Sequence, residues 1–442
     1  MGAKAQTSSC VQPESFAASW DIPEHLHYNH RPMNQIQSHR FDNGLVLVAE
    51  KIESAQSLAM SMLLPAGVAH EPDDQIGVAT LLSEMMFRGT ESLSARQHSD
   101  AMDDLGLDRT TGVDSLFLRL SATMIHTKVQ EALPLLFDMV RRPALTAESL
   151  EPARDLALQS LEALEDEPQQ KTFIALRQRH YRYPMNRCTM GEAQAIEKMS
   201  IEQLRDYKNK TFVPGGTILS FAGQFDFDKL KQLVGDLLGD WQGSREDIVL
   251  SGDEPARGYE HLTVESQQVH IGMAYDAVDE TDEDAAMLQR AALAVLSGGM
   301  SGRLFTEVRE KRGLCYAVYG TYASNKLMGV VLGYAGTTPQ RAQETLDVMC
   351  GEFVRLSEGI EQDEFERAMV GMKTRLVMQG ESTNARASAI AMDQHTFGRP
   401  RTLDELIARV DSVTLDKLNE YVKANKPGDM SIITIGPDAL TV

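Results

Sequence analysis

The chain has 442 residues, 42% of them hydrophobic, and a net charge of −21 from 64 acidic against 43 basic residues. That length suits two or three domains of roughly 100–200 residues each, and the hydrophobic share is ordinary for a soluble globular protein. The acidic excess disfavours wide contact with nucleic-acid backbones or anionic lipid; it reads as a solvated surface that could steer basic partners or peptides.

Residues 1–35 read as an irregular extension. Met1 to Trp20 is rich in Ser, Ala and Gln and lacks the apolar core of a secretory signal. Gln6 stands where a myristoylation signal after Gly2 wants Ser or Thr. His25, His27 and His30 lie close together, but no Cys or carboxylate pattern accompanies them, so they read as a surface arm rather than a metal site. Order is expected from His39. Phe41-Asp42-Asn43-Gly44-Leu45-Val46-Leu47-Val48 predicts strand, Asn-Gly turn, strand. A second apolar run at 57–64 has strand length, and a Pro/Gly turn follows at 65–67. Residues 77–87 have helical spacing, with Val78, Leu81, Leu82, Met85 and Met86 on one face. The pattern predicts helix at 147–164 stopped near Pro168, an amphipathic segment at 201–207, a buried strand at 217–223 and helix at 227–238.

From 241 to 257 the composition turns to Gly, Ser, Asp, Glu and Pro, which reads as an interdomain linker. Beyond it the pattern predicts strand at 268–274, helix at 282–296, a turn at 298–302 and helix at 303–312. Strand at 327–334, helices at 339–356 and 362–378, and a closing strand at 431–436 follow. The halves rhyme: Glu53-Ser54-Ala55-Gln56 and Glu265-Ser266-Gln267-Gln268 each precede an apolar strand, an acidic turn and a helix. This reads as a duplication of roughly 200 residues, too long for a solenoid repeat. No run approaches the ~20 apolar residues of a membrane span. Cys10, Cys188, Cys315 and Cys350 lie far apart, which suggests free or buried thiols in a reducing compartment, the cytoplasm.

Four pieces carry a resemblance. They are Phe41-Asp42-Asn43-Gly44-Leu45, the stretch from Gly77 to Thr90, Gly191-Glu192 with Tyr207 downstream, and Gly299-Met300-Ser301-Gly302-Arg303-Leu304-Phe305 running on through Glu307 to Tyr316. In this order and spacing the chain, from about residue 39 onward, resembles the M16 (pitrilysin/insulinase-type) peptidase family, its short two-domain bacterial branch above all. The resemblance implies an α+β fold of two homologous domains, each a mostly antiparallel sheet flanked by helices. It places them at 36–243 and 258–442, joined by a linker at 244–257. In that family two such chains, or one double-length chain, close around a peptide chamber; one side supplies zinc, the other an Arg and a Tyr that hold the substrate.

The family's zinc helix carries His-x-x-Glu-His, two ligands one turn apart with a base between them. Here Thr80 and Glu84 stand at the His positions and Ser83 at the base. The third ligand, a Glu on a later helix, falls on Ser160, with Glu162 within a slip of two residues. One carboxylate without two imidazoles does not hold Zn²⁺, so no metal is expected in this chain. The other half of the site survives in Arg309 and Tyr316, a guanidinium and a phenol able to hold a peptide carbonyl or oxyanion. The plainer reading makes Arg309 one surface cation among Arg303, Lys311 and Arg312, and Tyr316 a packed strand residue. The expectation is therefore a non-zinc subunit, like those of the processing peptidases, pairing as a heterodimer with a homologous chain that carries the zinc motif and binding a peptide substrate. A scaffold protein without activity is the alternative. A hydrolase with relocated residues finds no Ser-His-Asp set or Cys-His pair to nominate.

Overall fold

The most apolar runs of the N-terminal half become the middle of a sheet. The computed structural model describes residues 35–245 and 247–442; the histidines at 25, 27 and 30 and Cys10 lie outside the described residues. The strands are β1 (Ile36–Arg40), β2 (Val46–Lys51), β3 (Ser57–Leu64), β4 (Asp108–Val113), β5 (Leu118–Ile125) and β6 (Ile218–Gly223). They lie in the order β1-β2-β6-β3-β5-β4. β2, β3 and β6 are buried along almost their whole length, on both faces, so they read as apolar runs rather than alternating strands. β2 and β6 run parallel, and every other pair in the sheet is antiparallel.

The second sheet holds β7 (Gly258–Thr263), β8 (Val269–Ala277), β9 (Cys315–Ser324), β10 (Gly329–Thr337) and β11 (Ser431–Gly436), in the order β7-β11-β8-β10-β9. Its one parallel pair is β7 with β11. Matched in chain order, β7 to β11 repeat the positions and senses of β2 to β6, and β1 is an addition to the first sheet. The residues that rhyme in sequence precede β3 and β8, which hold the same place in the two sheets.

Each sheet is covered on one face by a helix from the other half of the sequence. Helix Pro168–His180 crosses β8 and β11, and helix Thr383–Phe397 crosses β2, β3 and β6. Small residues let the backbones approach. Ala59 and Ala222 lie under Ala387, and a Cβ on Gly272 would come within 2.6 Å of Thr172 Cγ2. Pro168, expected to stop the preceding helix, begins this new one. The preceding helix ends at Glu162 and a 3₁₀ turn intervenes, and a proline at the first helical position gives up only an N–H that has no helical partner there. The core follows the exchange. One cluster fills the outer side of each sheet, and a third joins Val46, Val48, Leu63 and Leu176 to Ala274, Val330, Ile390 and Ile433. No helix among the described residues is long and apolar enough to cross a membrane.

Candidate functional site

Helix Val78–Met85 presents the degenerate positions, and its placement owes nothing to them. Gly77 caps it at φ +112°, back to back with Gly191, where a Cβ would lie 2.6 Å from Gly77 Cα; only glycine fits so close an approach in the left-handed region. The buried carboxylate of Glu71 accepts from Gly77 N at 2.9 Å and Ala79 N at 2.8 Å. An anion there suits the helix N-terminus. Burial nevertheless pushes the Glu71 carboxyl up to about 7, against the pull of those two bonds and of Arg187. Arg187 donates to Val68 O at 3.0 Å and Ala69 O at 3.3 Å, and Tyr207 donates to Gly67 O at 3.1 Å. Tyr207, one of the residues that carried the resemblance, is thus a buried prop beneath the turn before the helix; Glu71 read in the sequence only as part of an acidic turn.

The hydroxyls at the ligand and base positions are all engaged. Thr80 Oγ1 donates to Thr189 O at 3.0 Å, Ser83 Oγ to Thr111 Oγ1 at 2.8 Å, and Ser160 Oγ to Leu156 O at 2.8 Å. Ser160 is on helix Ala147–Glu162, which packs against helix Val78–Met85. Of these positions only Glu84 carries a carboxylate, and both it and the nearby Glu162 are exposed. Three protein ligands are what a catalytic zinc needs, and these residues do not fit one. Among the described residues no group of three or more His, Cys, Asp or Glu side chains could hold a metal ion.

Arg309 and Tyr316 flank a tight turn. The segment Phe305–Glu310, expected as ordinary α-helix, is wound as a π-helix. The chain then folds back, with Gly313 N bonded to Arg309 O and Leu314 N to Val308 O, both at 3.0 Å. Such π segments recur at functional sites. Arg309 is exposed, its guanidinium 5.0 Å from the Phe305 ring centre. Its neighbours are committed elsewhere: Arg303 to Glu364 at 2.7 Å, Lys311 to Glu307 at 2.6 Å and Arg312 to Glu307 at 2.7 Å. Arg309 makes no ion pair among the described residues. Its charge is felt by Cys315, whose buried thiol is pushed up to about 11 despite that pull.

Tyr316 opens β9 with 54% of its surface exposed. Its hydroxyl donates to Gln268 Oε1 at 2.9 Å, and its ring lies over Gly336 of β10, where a Cβ would meet Tyr316 Oη at 3.1 Å. Tyr334 lies beside it, hydrogen-bonded to His270 Nδ1 at 2.7 Å and held above its ordinary pKa, chiefly by burial. Buried Tyr334 backs the half-buried rings of Tyr319, centres 5.5 Å apart, and Phe173, at 5.7 Å. Gln169, on the same exchanged helix as Phe173, donates to Tyr319 Oη at 2.6 Å. A cavity of about 490 Å³ lies against this helix, lined by Gln169, Phe173, Arg177, Thr189 and Leu332. Thr189 is the residue that accepts from Thr80. A path of contacts therefore runs from the degenerate helix, past the cavity, to Tyr316. No local pattern marks Phe173 or Gln169, because their partners come from the other sheet.

One constellation mimics a nucleophilic triad. His180 Nδ1 lies 2.9 Å from Ser431 Oγ, and His180 Nε2 lies 3.2 Å from Asp276 Oδ1, out of line for a hydrogen bond. Ser431 is fully buried within β11, so no substrate reaches it. These residues join the exchanged helix to the second sheet. Cys188, Cys315 and Cys350 are free thiols.

Comparisons with known proteins agree with this architecture. A family model described as insulinase (peptidase family M16) matches residues 46–193, and one described as peptidase M16 inactive domain matches residues 198–371. The uncharacterized zinc protease YmxG of Bacillus subtilis is 25% identical over 411 residues, covering 91% of this chain and 98% of that one. An uncharacterized zinc protease of Streptomyces coelicolor is 25% identical over 409 residues, covering 89% and 88%. Among solved structures, a peptidase M16 inactive domain from Pseudomonas fluorescens matches with a TM-score of 0.83 at 21% identity, over 92% of this chain and all but 1% of that one (99%). A protease from Helicobacter pylori matches with a TM-score of 0.81 at 16% identity, over 92% and 100%. The structural likenesses speak to the fold.

Proposed function

The chain belongs to the M16 peptidase family, and from that premise we propose that it is the non-zinc, substrate-binding subunit of a heteromeric zinc metalloendopeptidase. Its partner would be a homologous chain carrying His-x-x-Glu-His and the metal, and the substrate a peptide held between them. The observation that carries this reading is the contrast among neighbouring cations: Arg303, Lys311 and Arg312 are ion-paired, whereas exposed Arg309 has no ion pair among the described residues. A guanidinium and an exposed phenol on either side of one tight turn are suited to a carbonyl oxygen that gains charge during peptide cleavage. Arg309 would donate its fork of N–H groups to that oxygen. Tyr316 would turn its O–H from Gln268 to the same atom. The half-buried rings of Tyr319 and Phe173, backed by buried Tyr334, would hold the apolar part of the peptide.

The two domains at 36–243 and 258–442, with the linker between them, belong to the same proposal, as does a cytoplasmic location, which the free thiols support. The test mixes the chain with a zinc-bearing homologue from the same genome. It follows a fluorogenic peptide beside size-exclusion of the mixture. Arg309→Ala and Tyr316→Phe should each lower turnover by about 10²–10³, the usual loss for one oxyanion donor, and leave co-elution unchanged. Wild-type rates in both variants would transfer the assignment to a scaffold role.

A further inference from the structure

A second cavity, away from Arg309 and Tyr316, lies where the 245–248 segment meets both sheets. Its volume is about 140 Å³, against the ~30 Å³ that one water occupies in the liquid. Arg40 at the end of β1, Arg245, and Lys326 in the turn between β9 and β10 line it, opposed by the single carboxylate of Asp247. His70 and His395 complete the polar wall. Both are neutral at pH 7: burial first, then nearby cations, hold His70 at about 3 and His395 at about 4. Three cations against one anion leave a local excess of two positive charges in a chain whose total is −21.

The cations are not used up by the protein. Asp247 takes only Lys326, at 3.1 Å. Arg245 donates to His70 Nδ1 at 2.8 Å and His70 O at 3.2 Å, and among the described residues it meets no carboxylate. That bond fixes the His70 proton on Nε2, leaving a second neutral donor. Arg40 makes no hydrogen bond or ion pair among the described residues. His395, packed edge-on against Phe117 with ring centres 4.7 Å apart, has a buried Nε2 with no partner. Buried polar atoms are nearly always satisfied, and partly buried guanidinium groups are rarely left with no anion.

We infer that this cavity binds a small tetrahedral oxyanion, free inorganic phosphate, between Arg40, Arg245, Lys326 and His395. The cavity gives such an anion charge-assisted donors on several sides and leaves little space for an ester substituent. Because the wall draws on both sheets and on the segment joining them, occupancy would stabilise the folded chain.

The test is thermal unfolding and calorimetric titration of the full chain with phosphate, against sodium chloride at equal ionic strength. Phosphate should raise the melting temperature saturably and chloride should not. Arg40→Gln and Lys326→Gln should each weaken phosphate at least fivefold. Asp247→Asn should tighten it severalfold, a gain that a purely structural role for these residues would not produce. Glycerol 3-phosphate should bind at least tenfold more weakly than free phosphate. A melting temperature indifferent to phosphate, unchanged affinity in Arg40→Gln and Lys326→Gln, no gain in Asp247→Asn, or an ester that binds as well as the free ion would each overturn the assignment. Arg245 is left intact because it also holds His70, and peptide cleavage is not measured, so the outcome is independent of the peptidase reading.

Discussion

Replacing Arg386 with methionine tests the exchanged helix that ties the halves together. Arg386 is 3% exposed and its partner Glu50, near the end of β2, is 0% exposed. Two bonds join them, Nη2 to Oε2 at 2.6 Å and Nε to Oε2 at 2.8 Å, and a third runs from Arg386 to Arg401 O at 3.0 Å. Methionine keeps most of the side-chain volume but removes the charge, so the Glu50 carboxylate stays in the core without its guanidinium. Breaking one side of a buried pair costs about 3–5 kcal/mol, whereas replacing both members with apolar groups is often close to neutral. The expected order is therefore specific. Arg386→Met alone should lower urea stability by about 3–5 kcal/mol, and adding Glu50→Met should recover most of that loss. Equilibrium urea unfolding followed by circular dichroism reads both, and hydrogen exchange within residues 383–397 shows whether the helix lifts from the first sheet. A single variant that costs under about 1 kcal/mol, or a double variant no better than the single, would refute the claim that this pair fastens the helix.

Glu71 carries a pH signature. Its folded carboxyl is pushed up to about 7, chiefly by burial, against the ordinary 4.5 of the unfolded chain. Below pH 4.5 it is protonated in both states; between about 4.5 and 7 the unfolded chain ionises it while the folded chain keeps the proton. Its contribution to stability therefore falls across that window, by about 3 kcal/mol at most, and is flat above it. Glu71→Gln should remove that slope from urea midpoints measured between pH 4.5 and 8, and a slope equal to wild type would sink the reasoning. On metal, the engaged hydroxyls of Thr80, Ser83 and Ser160 predict no stoichiometric zinc after dialysis and no change in melting temperature with EDTA. One zinc per chain by elemental analysis would contradict this.

How much of this was legible in the sequence depends on where each element finds its partner. β3 was read as 57–64 and is Ser57–Leu64; β6 was read as 217–223 and is Ile218–Gly223. Both are central strands whose apolar run is visible without knowing the neighbour. The edge strand β4, Asp-Arg-Thr-Thr-Gly-Val, alternates between exposed and half-buried positions and has no apolar stripe to see. Helix Pro168–His180 buries only Thr172, Leu176 and His180, one residue per turn. Helix Thr383–Phe397 buries Arg386 and Asp393 along with Ala387, Ile390 and Ala391. A hydrophobic pattern misses such helices, because their faces are fitted to a sheet formed about 100 or more residues away. The site divides in the same way. Arg309 and Tyr316 stand in a local motif and could be named, while Phe173, Gln169 and Tyr334 meet only through the exchange. The absence of zinc ligands was readable from three positions on one helix, but the fate of the side chains that replaced them was not.

That fate explains why a scaffold shaped for a metal stands without one. A ligand set can be structural, in which case the fold depends on the ion, or it can sit on a frame held by other means. Here the frame is held by other means. Gly77 and Gly191 fix the entry to helix Val78–Met85, Glu71 caps it, and Arg187 and Tyr207 lock the preceding turn. None of these contacts involves residues 80, 83 or 84. Side chains at those three positions are then free of any duty to the fold, and a threonine or serine there needs only a nearby oxygen, which Thr189 and Thr111 supply. The same separation does not extend to Arg309. Arg309 rests on the Phe305 ring, 5.0 Å from its centre, and meets no carboxylate among the described residues, while Lys311 and Arg312 beside it are both tied to Glu307. The peptide-binding role proposed for Arg309 would draw on that difference.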